Sequence, residues 1–462
     1  MKNPQILFLC YNKDISGITQ NKIREKKGDG YRMNKKWKKG IAILCAAVFV
    51  TGCGMTNGDT QAESNMTGTA EQEKITLEVY AWTDEEENIR LLSEAYMEQH
   101  ENIQIHRNII PISQFGQRML SLKNGQTKAD CIFSPNASEC AIWKNKKILQ
   151  DLSEYLEDSE LLDAYGEWYE AGENENSSYM IPYRQSRWAV YYNKTLFDER
   201  NVEYPGENWT WEDYAETAVA LTGRVNGEKV WGSLSFEPTN KWWRVPARTA
   251  GANDPFIKAD LEQFRKAAEY IYDLTYTLKA QQPYTQQDSS NAVLYNEAFL
   301  EGNIGMFFSG DWSAATLNRQ IKEQGLDFSY DIAPMPHWEG EESYTISDAA
   351  VIAMVAGSEH PEETFDFMKF VAGPEGARIL AENDVIPAWN SEEIQELYLS
   401  NATLPEHKEY FWQKGKISRV PGNIRYSEGI DIVGDEVAKY LLQKQTLDET
   451  FDKIEEELNK VW

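Results

Sequence analysis

Residues 296–317 read NEAFLEGNIGMFFSGDWSAATL, and this stretch decides the fold. Phe299 and Leu300 close a helical face that stops at Gly302. Ile304, Met306, Phe307 and Phe308 then form an apolar run too short for a helix and bounded by turn residues, which predicts a buried strand. After Ser309-Gly310-Asp311 the pattern turns helical again, with Trp312 at its start. A Trp on a Gly-Asp turn at the carboxyl end of a strand sits where open α/β sheets gather ligands, because loop amides and helix starts converge there. Trp is also usually largely buried, so the same residue reads equally as a cap on a core.

Upstream, the pattern alternates. Ile75–Tyr80 reads as a strand, with Asp84 placed to cap a helix running toward His100. Ile103–Ile109 is a second strand, Gln114–Leu122 a helix and Ala129–Phe133 a third strand. Strand, helix, strand, helix, strand predicts a parallel sheet with crossover helices. Leu149–Leu162 and Leu161–Tyr169 read as helical surface segments, and Trp188–Tyr192 as a further strand. Thr210-Trp211-Glu212-Asp213 supplies an N-cap for a helix through Leu221. Trp231–Phe236, a helix over Leu261–Leu278 and one over Asn291–Leu300 follow.

The front of the chain has a different character. Lys35, Lys36, Lys38 and Lys39 precede an apolar core, Ile41–Val50, that suits an export signal and is too short to span a bilayer as a mature helix. Residues 1–32 carry no such run, so Met33 is the expected start. Val50-Thr51-Gly52-Cys53 resembles the lipobox of bacterial lipoproteins, which implies that Cys53 is lipidated and becomes the mature N-terminus. Residues 54–74 are polar and read as a flexible tether.

The leader, residues 1–53, carries 11 Lys+Arg and 3 Asp+Glu, a charge of +8, so a chain at −28 leaves the rest at −36. Such acidity argues against nucleic acid and anionic lipid surfaces as partners. Cys131 and Cys140 are the only cysteines after Cys53, and their spacing leaves a disulfide open. His100, His106, His337, His360 and His407 are scattered without metal-ligand spacing, so neither a metal nor a cofactor is expected.

In order, IPYRQSRWAVYYNKTLFDERNVEYPGENWTWEDYAETAVALT, EAFLEGNIGMFFSGDWS, YDIAPMP and HPEETFDFMKFVAGPEGARILAENDVIPAW resemble the family-one extracellular solute-binding proteins of ABC importers, mostly carbohydrate receptors. The resemblance covers nearly all of residues 75–462, including a closing helical region at Asp448–Leu458. It implies an α/β fold of two lobes with a ligand cleft between them, closing like a hinge. Crossings are then expected near Gln185–Val190, Ile346–Val351 and Asp384–Trp389, with residues 75–187 plus 346–384 in the first lobe and 188–345 plus 385–462 in the second.

A sugar offers flat C–H faces and paired hydroxyls, so its receptor needs aromatic plates and planar polar groups. The chain has 15 Trp and 24 Tyr. The resemblance makes Trp312 a stacking residue, with Trp82, Trp242 and Trp243 as further plates. Trp209, Trp211 and Trp231 read as structural. Asp84, Asn136, Gln185, Arg187, Arg244 and Asp311 are polar candidates, joined by Arg425 and Tyr426 from a late loop. Asp348 reads as a ligand acceptor or a hinge cap, and Ser134-Pro135-Asn136 stands where some relatives place an aromatic.

The expectation is therefore a monomeric binding protein without catalysis, lipid-anchored on the extracellular face, that captures a carbohydrate and passes it to a membrane permease. A polyamine, a peptide or a phosphorylated polyol is the alternative ligand on the same fold. A secreted glycoside hydrolase is a remote alternative, since no carboxylate pair is set apart by its surroundings.

Overall fold

A computed structural model describes residues 74–461 apart from 123–127, 158–160, 162–164, 166–176, 226, 235, 237–240, 285–294, 390, 402 and 413–414. Ten strands are present among them: β1 (Ile75–Trp82), β2 (Ile103–Ile110), β3 (Cys131–Ser134), β4 (Ile181–Asn193), β5 (Gly223–Val225), β6 (Glu228–Ser233), β7 (Ile304–Gly310), β8 (Tyr330–Ala333), β9 (Tyr344–Met354) and β10 (Lys416–Ser418). The helices that matter here are α1 (Glu86–Gln99), α2 (Ile112–Leu122), α3 (Ala137–Asn145), α4 (Trp211–Leu221), α5 (Lys258–Tyr272), α6 (Tyr295–Leu300), α7 (Trp312–Gln324), α8 (Pro361–Ala372), α9 (Pro374–Glu382), α10 (Ile424–Leu441) and α11 (Leu447–Leu458).

The strand order is β2-β1-β3-β9-β4-β7-β6-β5, with β10 on β9 and β8 on β4. β1 pairs in parallel with β2 and β3, as the alternating pattern predicts, and α1 and α2 supply the crossovers. β4 is long enough to serve two regions. Its first half, to Arg187, pairs antiparallel with β9, and its second half, from Trp188, pairs with β7 and β8. β9 behaves likewise, pairing through Ile346 with β10 and beyond it with β4 and β3. A third segment runs beside β4, bridging Pro387 to Arg184, with Gln185 N–H donating to Ile386 O and Ala388 N–H to Tyr183 O.

Two apolar cores lie on either side of these three segments. Leu77, Leu92, Phe115, Phe133, Trp143, Ile352 and Phe367 belong to the first, which defines the first lobe. Trp211, Tyr214, Phe264, Phe307, Phe308, Val433 and Ile454 belong to the second lobe. Each of these side chains is fully or almost fully out of water, and burial of one stabilises by about 1.5–3 kcal/mol. Local rules reinforce the second core: Thr210 and Asp213 form a reciprocal capping box that starts α4, and Thr210's cap aims Trp211 inward.

Some boundaries differ from expectation. Asp84 does not cap α1 with its side chain; the chain passes through a tight 3-10 turn, Thr83–Glu85, and Glu85 takes the N-cap position without a side-chain bond. The helix expected over Leu261–Leu278 begins at Lys258 and ends in a π-helical turn, Asp273–Thr277. Among the described residues of the expected 149–169 helices, Ser153–Leu156 and Leu161 are helical, and much of that stretch lies outside them. The signal, Cys53 and the tether also lie outside the described residues. Cys131 and Cys140 are both free and buried, and burial pushes both thiols up, so no disulfide joins them. No described helix is long and apolar enough to cross a membrane.

Candidate functional site

β4 is buried along its whole length, so the polar run Arg184-Gln185-Ser186-Arg187 needs internal partners. Arg184 pairs with Glu85 from the end of β1, Nη2 to Oε2 at 2.8 Å, both almost fully buried. Arg187 N–H donates to Asp311 Oδ1 at 2.9 Å while Asp311 N–H returns a bond to Arg187 O at 2.9 Å. Arg187 Nη2 donates to Gln185 Oε1, whose amide reaches Ala388 O. Asp311 is fully buried, which pushes its carboxyl up to about 6 against the pull of Arg184 and of the Arg187 and Ile386 amides. On the next crossing Asp348 accepts a forked pair from Arg248, at 2.8 and 2.9 Å, and a third bond from Val420 N–H. Burial alone would raise the Asp348 carboxyl; Arg248 and these bonds hold it below the usual range. Gln185, Arg187, Asp311 and Asp348 thus stitch the crossing segments to one another.

Immediately beyond Arg187 the character changes. Trp188 meets Trp242 at 5.1 Å and Trp312 at 5.5 Å, both edge to face, and Trp242 meets Tyr295 at 5.2 Å. Phe236 backs Trp242 at 4.3 Å, and Trp312 Nε1 donates to Tyr295 Oη at 2.8 Å. Trp312 and Trp242 are half-buried and only partly absorbed by the second core, so ring surface remains open. Gly310 makes this possible. A Cβ there would lie 1.9 Å from the Trp312 ring, so only glycine lets the indole fold back against β7.

The first lobe turns carboxylates toward this patch. Asp84, exposed at the end of β1, faces Arg319 and Glu297 of the second lobe, and its charge is felt by the Tyr295 hydroxyl. Although its surface is open to water, the protein crowded around it partly desolvates the Asp84 carboxyl and, with Glu85, pushes it up, against the pull of Arg184 and Arg319. Glu139, in the first turn of α3, faces Lys241 of the second lobe, next to Trp242. Its Oε2 is buried without a hydrogen-bond partner among the described residues, and burial pushes its carboxyl up to about 7.

The sequence-derived candidates therefore divide. Trp312, Trp242 and Asp84 come together at the lobe boundary. Trp82 and Trp243 do not: each is 3% exposed, Trp82 edge-on to Phe115 in the first core and Trp243 edge-on to Phe264 in the second. Asn136 spends its oxygen capping α3, accepting from Glu139 N–H and Ser138 Oγ. Arg244 lies over the Tyr426 ring and bonds its hydroxyl, and exposed Arg425 stacks 4.0 Å over Phe256. Trp188, Tyr295, Phe236 and Glu139 were missed as a group, because they come from four distant segments that only the fold assembles. Their one local signal is that Trp188 directly follows the polar run of β4. Asp331, Glu406 and His407 also converge, with ligand-type atoms within 4.8 Å, but His407 already bonds Asp331 through Nδ1 and its backbone N–H.

The sequence model of the bacterial extracellular solute-binding protein family matches residues 82–378. Among solved structures, an ABC substrate-binding protein from Listeria monocytogenes in complex with cycloalternan is 22% identical, with a TM-score of 0.72 over 84% of this chain and 99% of that one. A sugar transporter from Rhizobium etli in an open conformation is 23% identical, with a TM-score of 0.67 over 83% and 99%. Both share the two-lobed fold. A Brucella abortus protein named as a binding protein is 25% identical over 249 residues, 50% of this chain and 55% of its own length. This chain therefore matches about half the length of that relative.

Proposed function

We propose, on the premise that this chain belongs to the bacterial extracellular solute-binding protein family, that it captures a sugar or oligosaccharide between its lobes and delivers it to the permease of an ABC importer. The observation that carries this reading is the patch of Trp188, Trp242, Trp312 and Tyr295 opposed by Asp84 from the other lobe. Partly open indole faces suit the C–H faces of a pyranose, and a carboxylate at the rim accepts from hydroxyls. Two structural neighbours support the choice of ligand class, one solved with mannotriose and one with maltotriose. The role requires no chemistry on the ligand. Asp84, an exposed carboxylate opposite the patch, favours a polyamine as the second reading and disfavours a phosphorylated polyol.

Calorimetry with mannobiose, mannotriose, maltotriose, cycloalternan, tagatose, spermidine and glycerol phosphate tests the reading. Heat from a glycan and none from the last two supports it, and binding of spermidine alone replaces it with the second reading. Anchoring through Cys53 on the extracellular face is part of the proposal: Cys53→Ser should move the protein from the membrane fraction to the medium, and continued membrane retention would contradict it.

A further inference from the structure

Glu139 is the first-lobe carboxylate that the binding role leaves unexplained. It lies in the first turn of α3, and α3 packs directly on α10 of the second lobe, so the group sits in a seam between lobes. Oε2 is buried there with no hydrogen-bond partner among the described residues. The opposing charge that acts on it is Lys241, whose ammonium is already bonded to Asp431 of α10. Within α3 Cys140 stays a neutral thiol, as does Cys131 on the adjoining β3, and β9's Asp348 is tied to Arg248. On α2, Arg118 lies over Tyr80 and bonds Ser121. A side-chain bond from Asn136 draws the carboxyl down, but by less than burial raises it, so ionising the group with Oε2 shut in without a donor is unfavourable.

We propose that Glu139 makes closure of the α3–α10 seam proton-coupled: the seam shuts when Glu139 takes up one proton, and it opens when that proton leaves. The inference rests on the reading of two closing lobes. With the seam shut, burial raises the carboxyl to about 7; with it open, the group returns to the ordinary glutamate range. The sign follows. A group whose value is raised in one state favours that state at low pH, so closure is favoured below the ordinary glutamate value. It weakens as pH climbs to about 7 and is level above that. Across that window the closed-to-open ratio falls by a few hundred-fold, a factor of about ten for each pH unit.

The test uses nitroxides at Glu98→Cys on α1 and Lys322→Cys on α7, both exposed and on opposite lobes. The distance between them is read by pulsed electron resonance from pH 4 to 9. The closed distance should gain population as pH falls through the window, and Glu139→Gln should make the distribution closed and flat with pH. Glu139→Ala carries the same expectation if the glutamine variant does not fold. A wild-type distribution that ignores pH, or variants that keep the wild-type pH response, would overturn the proposal. Repeating the series with saturating maltotriose or mannotriose separates the two levels: movement with glycan but not with pH sinks only the proton coupling, whereas movement with neither removes the closing lobes as well.

Discussion

Arg187 and Trp188 are neighbours on one strand, yet the regions they open onto are built on opposite terms. On the Arg187 side the crossing segments hold a polar seam: Glu85 with Arg184, Asp348 with Arg248, and Asp311 bonded both ways to Arg187. On the Trp188 side the patch is aromatic, with ring edges packed and part of the Trp242 and Trp312 faces open. The seam spends its polar groups on tying the crossing segments to the elements beside them. The patch keeps surface in reserve. A residue's type did not say which side it served: Asp311 and Arg187 look like ligand contacts in the sequence and belong to the seam.

The comparison breaks most visibly at the seam. Glu85→Ala should destabilise the ligand-free protein by about 3–5 kcal/mol in urea unfolding, because it leaves the buried Arg184 guanidinium uncompensated. A loss under about 1 kcal/mol would mean that the seam is not what holds the lobes. The patch should respond the other way. Trp312→Ala should weaken glycan binding about a hundred-fold by calorimetry while leaving the melting temperature of the free protein nearly unchanged. If it melts the free protein, Trp312 belongs to the core and the contrast collapses. A smaller effect sharpens the same contrast: Tyr295→Phe removes only the hydroxyl that receives Trp312 Nε1, so affinity should fall about five-fold with stability almost constant.

Much of the fold was legible along the chain. The parallel β1-β2-β3 start, the strand at 304–310, the capping box at Thr210 and the closing helix α11 all rest on local periodicity or local caps, which a sequence carries within a dozen residues. The place of Trp312 at the head of α7 was legible from the Gly310-Asp311 turn, while its ligand role came from the family resemblance. The rest of the candidate site was not, because its partners are far apart in sequence. Nothing near Trp82 or Trp243 distinguishes a tryptophan in a loop from one whose ring folds back onto Phe115 or Phe264. Arg248 drew no notice because its main partners, Asp348 and Ser418, lie 100 and 170 residues away. Glu139 was one acidic residue among 74 Asp and Glu, and only the folded packing around α3 takes one of its carboxylate oxygens out of water.

The central claim is that the two lobes come together on a glycan gripped by the aromatic patch, and small-angle X-ray scattering during titration with the glycan that calorimetry selects tests it most directly. The account predicts a radius of gyration that falls as the site fills and stays constant in Trp312→Ala. A scattering curve unchanged at saturation of the wild type would contradict it.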